Sequence, residues 1–235
     1  MPVTVEIRRG SERFTTREDG RLTRHSFSFG AHYDPANTGF GPLACHDDHR
    51  LRSGAGFQEH PHADVVIVSW VLEGALEHSS DGSTRQVVRP GTVQVQSAGT
   101  GIVHREVAAT GAGPTRFVQA WLTPDETGGP ASYDVVPVVL PEGELVPVAS
   151  GHRDEAAVRL GVAGATFWVA RLPAGGVLTL PDEPLQHVFV GRGALARSSL
   201  AQPLADGDAF RITDEPGHEL TAAVPAELLV WTFTR

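Results

Sequence analysis

Val71-Leu72-Glu73-Gly74-Ala75-Leu76-Glu77-His78-Ser79 is echoed 119 positions later by Val190-Gly191-Arg192-Gly193-Ala194-Leu195-Ala196-Arg197-Ser198. Two further echoes keep the same order. Arg89-Pro90-Gly91-Thr92-Val93 matches Ala205-Asp206-Gly207-Asp208-Ala209, and Gly101-Ile102-Val103-His104 matches Pro216-Gly217-His218 more loosely. Three matches in one order predict a duplicated unit of about a hundred residues. The Pro- and Glu-rich stretch 137–147 is the natural joint, giving an N-terminal domain over 1–136 and a C-terminal domain over 137–235.

Each unit reads as β-structure. Residues 65–72, 93–96, 117–122, 135–140, 166–172, 188–190 and 228–233 are short runs rich in β-branched, aromatic and other apolar side chains. Turn residues punctuate them, and 26 Gly and 17 Pro in 235 residues exceed the usual roughly 7 % and 5 %. Helical periodicity is nearly absent; residues 154–159 allow one short turn of helix. The expectation is an all-β chain.

Composition removes several functions. Every one of the 19 basic residues is arginine, so Schiff-base lysines and P-loop lysines are excluded. A net charge of −9 argues against binding a nucleic-acid backbone. Cys45 is the lone cysteine, which rules out an intrachain disulfide and a cysteine-ligated zinc finger. Residues 1–14 show no apolar leader, and the run 65–72 is far short of the ~20 residues that span a bilayer. A cytoplasmic protein without membrane contact is expected. Gly191-Arg192-Gly193-Ala194-Leu195-Ala196 imitates a dinucleotide-binding turn, but no helical pattern follows before Pro203, so it reads as a turn. No G-x-S-x-G elbow occurs.

Two segments carry chemistry. Gly54-Ala55-Gly56-Phe57-Gln58-Glu59-His60-Pro61-His62 ends in one i, i+2 pair, and Ser97 to Glu106 ends in another, His104 with Glu106. Strand side chains alternate faces, so each pair points to one side of its strand. Two such strands side by side would bring three imidazoles and a carboxylate together, a costly set to bury without a cation or hydrogen-bond partners. Isolated histidines (His32, His46, His49, His152, His187) read as surface or hydrogen-bonded residues and receive no role.

These segments resemble the cupin superfamily and, within it, the pirin family. The matching stretches are His25-Ser26-Phe27-Ser28-Phe29-Gly30, His60-Pro61-His62, Trp70-Val71-Leu72-Glu73-Gly74, Pro90-Gly91, and Ala98-Gly99-Thr100-Gly101-Ile102-Val103-His104 with Glu106. They are dense over 25–125 and sparse beyond. The resemblance implies a bicupin: two facing β-barrels of jelly-roll, double-stranded β-helix type, the second degenerate and without metal. By motif position it assigns one metal to His60, His62, His104 and Glu106. One departure stands out, because the pattern usually has a glutamate where this chain has Val66. Either Val66 is a core strand residue or a carboxylate useful to catalysis has been lost. A step of 119 from His60 and His62 lands on Thr179 and Pro181, and His218 is followed directly by Glu219, so no equivalent ligand set is expected in the second repeat.

Three histidines and a carboxylate suit Fe(II), Zn(II), Ni(II), Co(II), Mn(II) or Cu(II), with Fe(II) the first expectation. An octahedral ion would keep two open positions, whereas tetrahedral zinc would close its shell and be structural. The resemblance implies a dioxygenase of the quercetin type as one function, with a small aromatic chelating substrate, dioxygen, and Glu106 as both ligand and proton acceptor. Gln58 and Gln119 are weaker candidates for orienting groups at the site. A second reading is a regulatory or redox-sensing module whose metal serves binding to a protein partner. A third, an isomerase or hydrolase, remains open because fold does not fix function.

Overall fold

The computed structural model describes residues 4–80, 85–198 and 203–234. Strands come first as β1 (Thr4–Arg8), β2 (Phe14–Glu18), β3 (Arg21–His25), β4 (Leu43–Leu51), β5 (Gly56–His62), β6 (Val66–Glu73) and β7 (Leu76–Ser80). There follow β8 (Gln86–Val88), β9 (Thr92–Ser97), β10 (Ile102–Ala108), β11 (Thr115–Leu122), β12 (Ser132–Pro137), β13 (Leu145–Ser150) and β14 (Val158–Arg159). The remainder are β15 (Ala165–Leu172), β16 (Val177–Thr179), β17 (Leu185–Arg192), β18 (Ala194–Ser198), β19 (Leu204–Ala205), β20 (Ala209–Thr213), β21 (Glu219–Ala222) and β22 (Ala226–Phe233). The chain is all-β, and the only helical element among the described residues is one 3-10 turn, Gly10–Glu12. The helical turn expected at 154–159 is absent; that stretch is turns and bends leading into β14.

Two compact units form. One holds 14–138 and 160–162, the other 1–13, 139–159 and 163–235. The sequence reading draws its joint at 136/137. Strand β1, however, precedes that joint by its position in the chain and yet pairs antiparallel with β20. Each unit has a seven-stranded and a four-stranded sheet rather than one closed ring of hydrogen bonds. That is the two-sheet form of a double-stranded β-helix.

Strand order carries the duplication. The larger sheets run β12-β9-β6-β11-β4-β3-β2 and β1-β20-β17-β22-β15-β13-β14, and the smaller ones β5-β10-β7-β8 and β16-β21-β18-β19. Each strand of one unit thus has a counterpart at the same place in the other. The repeated glycines have a physical reason. Gly74 and Gly193 have φ of +73° and +78°, and a Cβ on either would collide with a backbone carbonyl, of Pro114 and Pro225 respectively. Only glycine meets both demands.

Between its sheets, the second unit is apolar: Leu178, Leu195, Leu204 and Leu220 pack against Val188, Phe210, Leu228 and Val230. In the first unit the corresponding apolar cluster is smaller, with Leu51, Val71, Leu76, Val88, Ala108 and Phe117. Farther along the same strands, the inward positions turn polar. Ser69 follows Val71 at two residues' distance, His78 follows Leu76, Gln119 follows Phe117, and Glu106 follows Ala108, all four buried. The period of two keeps them on the interior face.

Candidate metal centre

Strand β10 lies between β5 and β7, antiparallel to both. His104 pairs with His60, and Ile102 with His62. A register shift between His104 and Glu106 brings Glu106 opposite Phe57 on one side, while on the other it faces His78. The alternation argument therefore puts His60, His62 and His104 in one cluster, with ligand atoms within 4.8 Å of one another. Glu106 joins His104 and His78 in a second group that meets the same limit and shares His104 with the first.

Hydrogen bonds fix which ring nitrogens are available. His104 Nδ1 donates to Gln96 Oε1 at 2.8 Å, and His60 Nδ1 donates to the Gln58 carbonyl at 2.6 Å. An imidazole whose Nδ1 carries the proton presents a lone pair at Nε2. His60 Nε2 and His104 Nε2 nevertheless face each other at 3.0 Å. His62 Nε2 is buried and has no hydrogen-bond partner among the described residues. Two opposed lone pairs beside an orphaned third nitrogen are unfavourable alone and become favourable around a cation. The donor set fits a divalent transition metal.

Around the imidazoles is a polar cage that sequence reasoning found only in part. Glu106 accepts from Gln94 Nε2 and from Gln119 Nε2, each at 2.7 Å. Both amides are held in that orientation. The Tyr133 hydroxyl donates to Gln94 Oε1 at 3.4 Å, and the Trp121 indole donates to Gln119 Oε1 at 2.9 Å. His78 stacks on Tyr133 with ring centres 4.2 Å apart and donates from Nε2 to Gln96 Oε1 at 3.1 Å. Of the two glutamines expected to orient ligands, Gln119 does contact Glu106. Gln58 does not turn inward; its exposed side chain accepts from Arg105 at 3.3 Å, because the register shift in β5 breaks the parity with His60. Gln94, Gln96 and His78 were missed, although alternating Val and Gln in Val93-Gln94-Val95-Gln96 was the available sign of polar groups facing one side. Val66 is a buried core residue of β6.

Burial keeps His62, His78 and His104 neutral. Burial pushes His104 down to about 4, and the adjacent His60, His62 and His78 act in the same direction against the pull of Glu106. Burial also lowers His62 and His78. For Glu106 burial acts upward, but His104, His78 and the two glutamine amides outweigh it and hold the carboxyl below its ordinary range. Lone pairs on the imidazoles and a charge on the carboxylate are what metal binding requires.

The cluster borders a cavity of about 460 Å³ lined in part by His60, Glu106, Gln119, Trp121, Phe29 and His25. Both groups of converging metal-ligating side chains found among the described residues belong to the unit holding 14–138. At the matching places of the other unit, Thr179 pairs with Glu219, and His218 lies 3.6 Å from Glu215.

A duplicated two-sheet β-fold with a histidine cluster in its first repeat defines a two-domain cupin. The sequence pattern of the pirin family matches residues 8–122. A Mycobacterium tuberculosis protein named "Putative quercetin 2,3-dioxygenase Rv0181c" is 44 % identical across 98 % of this chain and 96 % of its own. A "Pirin-like protein" of Caulobacter vibrioides is 32 % identical across 88 % of this chain and 90 % of its own. Two crystal structures of Escherichia coli YhhW, each 27 % identical, superpose over 98 % of this chain. The first covers 97 % of the YhhW chain with a TM-score of 0.89, and the second, a nickel(II) complex, covers 99 % with a TM-score of 0.87. The chain belongs to the pirin family.

Proposed function

We propose that the protein is a cytoplasmic metal-dependent dioxygenase whose substrate is a planar aromatic with adjacent oxygen donors, of the flavonol class. The observation that carries this reading is the meeting of His60, His62 and His104, with an orphaned Nε2, on the border of a cavity large enough for such a molecule. We assign His60, His62, His104 and Glu106 as the ligands of one divalent metal. Fe(II) is the favoured ion, and the nickel(II) complex of the related E. coli protein supports Ni(II) as a second. Bound there, the metal would supply a Lewis acid for an ionised hydroxyl and a redox partner for dioxygen.

The chain's own groups do the rest. Gln96 and the Gln58 carbonyl orient two of the imidazoles. His104 and His78, with the amides of Gln119 and Gln94, keep Glu106 anionic. Phe29 and Trp121, edge to face at 5.3 Å, give the cavity an aromatic wall that suits a flat ring. Gathering these groups in advance is what lets such a site act on a bound substrate without reorganising.

The test is direct. Protein loaded separately with Fe(II), Ni(II) and Mn(II) is incubated with quercetin in air, and the flavonol absorbance is followed. Loss of the band in at least one metal form, absent in His104→Ala, is expected. Retention of metal without turnover in every form would overturn the enzyme reading and favour a module that binds a protein partner.

A further inference from the structure

The same cavity carries a second arrangement that the metal ligands do not use. Asp47 Oδ2 accepts from His25 Nδ1 at 2.7 Å, both side chains being buried. His25 Nε2 lies 2.9 Å from the Thr16 hydroxyl, which in turn lies 3.2 Å from His32 Nε2. A carboxylate only accepts, so His25 carries its proton on Nδ1 and a lone pair on Nε2. Thr16 has one hydroxyl proton, which goes to His25, and its oxygen accepts from His32. Every link then runs the same way, from half-buried His32 inward to Asp47. Thr16, His25 and Asp47 line the cavity together with His60 and Glu106.

An aromatic chain joins the two ends of this wall. His25 stacks on Phe29 with centres 5.4 Å apart, Phe29 meets Trp121 edge to face at 5.3 Å, and Trp121 meets His62 edge to face at 4.8 Å. A planar ring lying along that wall would have the imidazole cluster at one end and the hydrogen-bonded Thr16 and His25 at the other.

We propose that His25, oriented by Asp47, accepts through the Thr16 hydroxyl the proton of an acidic aromatic hydroxyl bound in this cavity; the substrate class rests on the dioxygenase reading above. The substrate O–H bond breaks and its electron pair stays on oxygen as an aryloxide; the proton bonds to the Thr16 oxygen, and the proton that Thr16 already directs at His25 bonds to Nε2. Asp47 stabilises the resulting imidazolium, as a buried carboxylate does for a catalytic histidine. The other ionisable groups near His25 are His49 and Cys45 on β4, Glu18 on β2 and Arg21 on β3. Burial lowers His49 and raises the Cys45 thiol, so both are neutral at pH 7.

The probe is 4-nitrocatechol, whose visible band moves on ionisation. It is added to the full-length protein after chelator treatment, with the fold checked by near-UV circular dichroism, so that no metal contributes. The bound probe is expected to ionise at a proton concentration at least tenfold higher than the free probe requires. His25→Gln should return ionisation to the free value while the protein still takes up its full complement of Ni(II). Asp47→Asn should give an intermediate midpoint, and it serves as the second variant if His25→Gln does not fold. An unshifted midpoint in the wild type, failure to bind the probe, or a shift that survives both substitutions would overturn the proposal. Ionisation of the probe by a wild type that leaves quercetin untouched would instead sink only the flavonol reading.

Discussion

The Gln119 amide donates to Glu106 Oε2 at 2.7 Å, and the Trp121 indole holds its carbonyl at 2.9 Å, so the amide cannot turn over. Gln94 repeats the device on the other oxygen with Tyr133 as its anchor. Two oriented donors add to the pull of His104 and His78 in holding this buried carboxylate ionised against its burial. Gln119→Leu should therefore raise the Glu106 pKa and weaken metal binding by roughly 10- to 100-fold. Trp121→Phe, which removes only the anchor, should do less. Competition with a chromophoric chelator measures both, and equal affinity in wild type and Gln119→Leu would show that the clamp has no such part.

Metal content tests the ligand set itself. His104 is the residue shared by both converging groups. His104→Ala should reduce the metal carried by purified protein from about one ion per chain to a trace, as read by elemental analysis. His78→Ala should keep the ion, since His78 donates to Gln96 and is one step removed from the imidazole cluster. The reverse ranking would move the metal to the His78, His104 and Glu106 group.

A strand pattern legible in sequence is an apolar one, and that explains what could be read. The apolar runs of β6, β11, β17 and β22 stood out, as did the i, i+2 pairs His60 with His62 and His104 with Glu106. Strand β4 did not, because four successive buried residues in it are His46, Asp47, Asp48 and His49, which hydropathy places at the surface. They are satisfied by partners far away in the chain: Asp48 holds Arg116 through two bonds of 2.9 and 2.7 Å, and His49 bonds Thr23 at 2.9 Å. The polar cage was hidden for the same reason, yet the repeat records it. Ser69 pairs with Gln94 and Gln119 across its two neighbouring strands, while Val188, 119 positions on, pairs with Phe210 and Val230. The same register therefore holds three polar residues in one unit and three apolar ones in the other. A comparison of the two repeats at these positions would have located the cage.

Stability of the metal-free protein should depend on pH with a defined sign. His104 sits at about 4 in the fold against an ordinary 6.5. Between those values the unfolded chain binds a proton that the folded chain does not. Stability is thus complete above pH 6.5 and falls as the pH drops toward 4, by at most about 1.4 kcal/mol per pH unit. His62 and His78, lowered in the same direction, add to the slope. Urea midpoints from pH 4 to 8 should show the decline, and His104→Gln should flatten it. An unchanged slope in that variant would assign the effect to other groups.

The two repeat glycines offer a matched test of the duplication. Gly74 and Gly193 share a positive φ and the same clash between a would-be Cβ and a proline carbonyl, Pro114 or Pro225. Alanine at either place must distort the turn, at a cost of the order of 1–3 kcal/mol for such backbone strain. The functional consequences should differ. Gly74 leads into β7, which pairs with β10 beside His104 and Glu106, so Gly74→Ala should lower metal affinity along with melting temperature. Gly193 leads into β18, whose unit holds none of the metal-binding groups found among the described residues. Gly193→Ala should therefore lower the melting temperature alone and leave the chelator-competition curve where it is in the wild type. Loss of metal affinity in Gly193→Ala, with the fold intact by circular dichroism, would mean that the second unit supports the centre more directly than its residues suggest.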